Sequence, residues 1–260
     1  MSVQVHFYQD TALGFASGHK SNPHAHLALQ LTLGLDQEFE VRRSARRAAA
    51  DVEKLRFACF APEALHHIPE SDAELAYLYL DCGAAGFQQW RQSGGEVIAP
   101  DAALCAELLA FRRSRSNDRQ HAFELAQRWR AHSLPGLVRA APAHPRLNEV
   151  VAFMDAEPLL AHSHVTLASR AHLSPSRFAH LFREQVGLPV RNYLLWRRLV
   201  YALSRLQQGH SITTAAYESG FSDGAHLCRS CRRVFGAMPT DVQIERLPSP
   251  STTRDRATAI

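Results

Sequence analysis

The sequence predicts an α+β protein of two domains: a β-rich N-terminal unit with flanking helices, then an all-helical C-terminal unit. Three observations carry this. Apolar residues alternate with period two early in the chain, as in "LALQLTLGL", where Leu29, Leu31, Leu33 and Leu35 share one face. The period becomes helical after residue 84. A near-repeat of about 25 residues, at an offset of 48 and then 49, fills positions 165–236.

In order along the chain, "VQVHFY", "LALQLTLGL", "EFEVR", "RFACFAP" and "ELAYLYLD" read as short strands between polar or Pro-bearing breaks. Such strands suggest a small antiparallel barrel or sandwich. "AAGFQQWRQ", "DAALCAELLAFRR" and "DRQHAFELAQRWRAH" then read as amphipathic helices, completing a unit over 1–133. "LPGLVRAAPAHP" (134–145) has three prolines and a glycine and is assigned as a linker. Residues 146–246 read as helical. The tail, 247–260, is small, polar and Pro-containing, and is expected to be unstructured.

The two copies of the repeat are "VTLASRAHLSPSRFAHLFREQVG" and "SITTAAYESGFSDGAHLCRSCRRVFG". Ala168 aligns with Ala216, Leu173 with Phe221 and Ser174 with Ser222; after one extra residue, Phe178 meets Leu227, Phe182 meets Cys231 and Gly187 meets Gly236. Each copy predicts a short helix, a turn and a second helix. Ser174 before Pro175 is an N-cap followed by proline at the first helical position. Ser222 or Asp223 caps the second equivalent, and the glycines end both helices. The outer faces begin with Ser176, Arg177 and His180 in one copy and Gly224, Ala225, His226 and Arg229 in the other. Small residues admit a helix to the major groove, and a few polar ones read base edges. "VRNYLLWRRLVYALSRLQQG" reads as a long helix joining the copies, with Arg197, Arg198 and Arg205 as candidate phosphate contacts.

Charge supports the same division. Residues 1–144 hold 15 Lys+Arg against 16 Asp+Glu, net −1, whereas residues 145–246 hold 12 against 8, net +4. Of the 29 basic residues 27 are Arg, which suits phosphate and base recognition, although a GC-rich genome produces the same bias. No apolar run approaches the eighteen residues of a membrane span. The start "MSVQVHFYQD" lacks a secretory signal, and five thinly spread cysteines fit a reducing compartment, so a cytoplasmic location is expected.

On these residues the segment 146–242 resembles the DNA-binding domain of the AraC/XylS transcription regulators, through "LSPSRFAHLFREQVGLPVRNYLLWRRL" and "SITTAAYESGFSDGAHLCRSCRRVFGAMPTDV". The resemblance implies two helix-turn-helix motifs that read double-stranded DNA through Ser176, Arg177 and His180, and through His226, Cys228 and Arg229. Arg229 is the leading base contact; Arg197, Arg198, Arg232 and Arg233 are phosphate candidates. Cys231 departs from the family, which has an apolar aromatic there, and predicts a looser core in the second motif or compensation by a neighbour.

The N-terminal unit resembles a cupin-like β-barrel. "GHKSNPHAHLALQLTLG" and "FAPEALHHIP" look like the two cupin signatures, and His24, His26 and His66 with Gln30 stand at the metal-ligand positions. Gln30 replaces the glutamate of metal cupins. Core histidines in hydrogen bonds, or the lining of an organic effector pocket, are therefore favoured over a divalent metal. The expectation is a non-enzymatic regulator with no required cofactor, sensing a small ligand or metal, with RNA polymerase and a second copy of the chain as further partners and no membrane. The alternatives are a metal-binding cupin enzyme or metal-responsive module with an accessory helical domain, and a zinc or redox switch at Cys228 and Cys231. The arginine-rich "VRRSARRAAADVEK" (41–54) is read as a solvated hairpin loop rather than a DNA contact.

Overall fold

A computed structural model describes residues 2–8, 10–17, 20–43, 52–83, 87–137, 144–156, 162–241 and 243–244. Half of the assigned linker (138–143) and the tail 247–260 lie outside the described residues, as do residues 44–51 of the arginine-rich stretch 41–54.

The N-terminal strands are β1 (Ser2–Phe7), β2 (Thr11–Ser17), β3 (Ala28–Gly34), β4 (Phe39–Arg42), β5 (Val52–Leu55), β6 (Phe57–Phe60) and β7 (Leu75–Asp81). A two-residue strand, β8 (Gln243–Ile244), comes from the far end of the chain. The main sheet has the order β6-β3-β7-β2-β1-β8, antiparallel throughout except for the parallel β1–β8 pair. Strands β4 and β5 form a separate hairpin. The expected barrel is therefore open among the described residues. The hairpin is bridged to the rest at Arg42 and His67, and it packs Phe39 and Val41 into a second apolar cluster with Phe60, Leu75 and Tyr77. Within the hairpin Arg43 pairs with Glu53 at 3.2 Å.

The leucine alternation holds. Leu29, Leu31 and Leu33 enter the main core with Leu13, Phe15, Leu78 and Leu80, while the intervening Gln30 and Thr32 are buried on the opposite face. Burial on both faces explains why β2, "TALGFAS", carries no alternating signal: all but its last residue are buried. Helices α1 (Phe87–Gln92), α2 (Ala102–Ser114) and α3 (Arg119–Ser133) follow. Trp129 and Phe111 carry α3 and α2 into the core, and Asp101 and Asp118 cap the two helices.

The C-terminal half contains α4 (Pro145–Ala156), α5 (His164–Arg170), α6 (Pro175–Val186), the long α7 (Val190–Gln207), α8 (Ile212–Glu218) and α9 (Gly224–Phe235), then a 3₁₀ turn at Pro239–Asp241. Ala168 and Ala216 are fully buried where the short helices pack. One continuous apolar core runs from the sheet through α2 and α3 into α5–α9, so the two halves share an interior.

The aligned core positions predict unequal costs. Phe182 is fully buried between Phe178 and Tyr193. Phe182→Ala is expected to cost about 3–5 kcal/mol by urea denaturation. Cys231→Ala, which deletes one sulfur at the equivalent place, should cost well under half of that.

Candidate nucleic-acid interface and the histidine cluster

The repeat is more regular in space than in sequence. Ser163 caps α5 by accepting from the Thr166 amide, and Ser211, 48 residues later, caps α8 by accepting from the Thr214 amide, both at 3.0 Å. The turns use left-handed residues at the same offset, His172 (φ 53°) and Gly220 (φ 73°). The second helices start on Ser174, which accepts from the Arg177 amide, and on Asp223, which accepts from the His226 amide at 2.7 Å. Of the two predicted caps Asp223 is the one used. Hydrogen bonds from that amide and from the Ser222 hydroxyl hold its carboxyl below the usual range. Gly187 (φ 84°) and Gly236 (φ 72°) end α6 and α9 in the left-handed conformation that favours glycine.

These caps aim the predicted reading residues outward. Ser176, Arg177 and His180 are exposed on α6, as are His226 and Arg229 on α9. Cys228 is half-buried beside them. The His226 ring is steadied by Ser222 at 3.2 Å and by an edge contact with Phe221. Exposed Arg232 and Arg233 extend α9 toward its C-terminal end.

The arginines of α7 divide. Arg198 lines a surface depression with Arg183, Arg191, His162 and His164. Arg197 faces the other way, 3.3 Å from the buried carboxylate of Asp81 at the end of β7, so this arrangement commits it to the N-terminal half rather than to phosphate. Arg205 pairs with Glu218 at 2.6 Å and ties α7 to α8. The sequence reading missed Arg183 and Arg191. Their one signal is that α5, α6 and α7 converge, which a linear reading does not show.

Cys228 and Cys231 are free thiols with separate surroundings. Burial, with Cys228 nearby, pushes the Cys231 thiol up to about 12, so it stays protonated at neutral pH. Cys231 lines an apolar cavity of about 130 Å³ between β1, β2 and β7 on one side and Trp196, Val200, Leu203 and Phe235 on the other. The space left by the missing aromatic is thus shared with the sheet.

Four N-terminal candidates come together. His24, His26 and His66 are buried and have ring nitrogens within 4.8 Å of one another. His24 and His66 form a two-residue bridge, with backbone bonds of 3.0 and 2.9 Å. Gln30 lies 3.2 Å from His66, and Phe60 stacks on the His66 ring.

Residues 167–244 match the family model described as "Helix-turn-helix domain". A segment of 93 residues is 36% identical to the arabinose operon regulatory protein of Salmonella typhimurium, covering 32% of this chain and 31% of that protein. ToxT from Vibrio cholerae O395 has a similar fold over 92% of this chain and 95% of its own, with a TM-score of 0.54 and 10% identity. The C-terminal segment is thus similar in sequence to an arabinose operon regulator, and the chain as a whole is similar in fold to ToxT. ToxT from Vibrio cholerae strain SCE256, solved with an unsaturated fatty acid bound, is similar over 92% of this chain and 93% of its own, with a TM-score of 0.52 and 9% identity. These solved relatives share the architecture of an N-terminal sheet followed by a helical domain.

Burial lowers the His66 imidazole to about 4; nearby Arg43 and His67 act in the same direction, and the hydrogen bond to Ala64 opposes it. In an unfolded chain a histidine titrates near 6.5. The unfolded state therefore binds the extra proton first, and stability present above pH 6.5 is lost as the pH falls toward 4. After dialysis against EDTA, the urea midpoint should fall across that window. His66→Gln should flatten the slope; an unchanged slope would assign the acid sensitivity to another group.

Proposed function

We propose that this protein is a sequence-specific DNA-binding transcription regulator, a binding protein rather than an enzyme. In this reading the N-terminal half senses a small ligand or divalent metal and modulates DNA binding or self-association. The observation that supports it best is the pairing of two equivalently capped helices whose first turns are polar, exposed and small. That is what a helix needs to enter a major groove. Specific contacts come from Ser176, Arg177, His180, His226, Cys228 and Arg229, while Arg198, Arg232 and Arg233, joined by Arg183 and Arg191, neutralise phosphate. Double-stranded DNA is the principal partner, with RNA polymerase and a second copy of the chain as further ones, and the cytoplasm is the place of action. No described helix is long and apolar enough to cross a membrane.

Two features of the N-terminal half suit an effector. The apolar cavity touches both halves, so an apolar ligand seated there would bear on α7 and α9 directly; ToxT, with its bound unsaturated fatty acid, offers a parallel. The histidine cluster suits a cation. A metal-binding cupin enzyme with an accessory helical domain is disfavoured, because the helices share one core with the sheet rather than hanging from it.

Selection from a random double-stranded pool should yield a bipartite site with its elements about one helical turn apart. Affinity for it should fall steeply with salt. Arg229→Ala should lose about 1–3 kcal/mol on the selected site and little on random DNA, measured by fluorescence anisotropy. Equal loss on both would make Arg229 a phosphate contact, and failure to enrich any sequence would overturn the reading.

A further inference from the structure

The histidine cluster is built as a ligand set. His24 Nδ1 lies 2.7 Å from the Asn22 carbonyl and His66 Nδ1 lies 2.9 Å from the Ala64 carbonyl. A carbonyl only accepts, so both rings carry their proton on Nδ1 and turn an Nε2 lone pair inward. This is the outer hydrogen bond that metal-bound histidines make. Inside, His24 Nε2 is 3.0 Å from His26 Nε2, and His66 Nε2 is 3.2 Å from the Gln30 side-chain oxygen. The Gln30 amide nitrogen is meanwhile donated to Thr32 at 2.8 Å. His26 Nε2 can supply the proton between the first pair, so it is His66 Nε2 and the Gln30 oxygen that present two acceptors to each other, in a space where His24, His26, Gln30 and His66 are each no more than 5% exposed. A cation resolves that opposition. Turning the Gln30 amide over resolves it as well.

The same ring nitrogens reach α9. Asn22, whose carbonyl accepts from His24, donates both its backbone amide and its side-chain amide to the Gly236 carbonyl, each at 3.0 Å. A Cβ on Gly236 would lie 2.7 Å from the Asn22 oxygen and within contact of His24 Nδ1. Phe235, the last residue of α9, packs on His26 with ring centroids 5.6 Å apart. One shell of contacts therefore serves both the cluster and the end of the second DNA-reading helix.

We propose that His24, His26 and His66, with Gln30 beside them, bind a divalent transition metal of the imidazole-preferring class, and that its occupancy sets how α9 is anchored through Asn22 and Gly236. Three neutral imidazoles suit zinc, cobalt or nickel, and without a carboxylate calcium and magnesium are excluded. The metal site stands on the histidine geometry alone. The coupling to DNA rests on the regulator reading above, and the arms of the test separate the two.

The full-length chain, stripped with EDTA and dialysed, is titrated with Co²⁺ and followed by visible absorption and calorimetry. The expected result is one Co²⁺ per chain with a ligand-field spectrum. His66→Ala and the milder His26→Gln should each weaken binding at least tenfold while circular dichroism stays native. Asn22→Ala should still bind Co²⁺. Affinity for the selected DNA site is then measured with and without Zn²⁺. The unaltered chain should change at least fivefold, the lower end of ordinary allosteric coupling, and Asn22→Ala should lose most of that change. A chain that binds no metal, or whose spectrum is the same in folded His66→Ala, overturns the site even if DNA is bound. Stoichiometric metal with unmoved DNA affinity overturns the coupling. If no DNA sequence is selected in either state, the regulator reading and the coupling fail together, and the Co²⁺ stoichiometry still decides the site.

Discussion

Helices α6 and α9, the second helices of the two repeat copies, both end in a left-handed glycine pressed against the N-terminal half. At the end of α6, the Gln88 side chain from α1 donates to the Val186 carbonyl at 2.7 Å and occupies the place a Cβ on Gly187 would take. At the end of α9, Asn22 donates twice to Gly236. Glycine is needed at these two positions for two reasons at once: the positive φ, and the close approach of a polar neighbour. Helix C-termini leave carbonyls without intrahelical donors. Here the N-terminal half supplies some of those donors, so the orientations of α6 and α9 are tied to it.

The rest of the interface reinforces the arrangement. Arg197 pairs with Asp81, Asn192 donates to Glu63 at 2.8 Å, and Gln207 at the end of α7 donates to the Val5 carbonyl. Beyond α9 the chain returns to pair β8 with β1. The long helix is therefore held near both ends and in its middle. It spaces the two motifs and also carries their shared support on the sheet. Of the α7 arginines, Arg197 is neutralised by Asp81 and Arg205 by Glu218, while Arg198 lines the surface depression.

Much of the C-terminal half was legible in the sequence because its signals are local. Capping residues, small helix-crossing positions and terminal glycines repeat at a fixed offset, and each has one physical use. The N-terminal half was less legible. Strand β2 is buried on both faces and shows no alternation, and the sequence does not say how the strands of the cupin-like unit pair, which among the described residues is as an open sheet with a separate hairpin, because pairing between distant strands leaves no periodic trace. The CxxC spacing of Cys228 and Cys231 illustrates the reverse. It looks like a metal motif, but the helix sends one thiol toward the reading face and the other into the core.

By itself the sequence determined the order of the elements, the paired helix-turn-helix and the outward set from Ser176 to Arg229, because those depend on neighbours within a few residues. Tertiary structure decided which arginine of α7 faces solvent and that three histidines share one buried space. It also decided that the end of α9 rests on their outer hydrogen bonds. Those outcomes depend on residues some 40 to more than 200 positions apart, such as His24 with His66 and Asn22 with Gly236. Only the folded chain brings such groups within hydrogen-bonding distance, since spacing along a strand or helix says nothing about which distant element will lie against it.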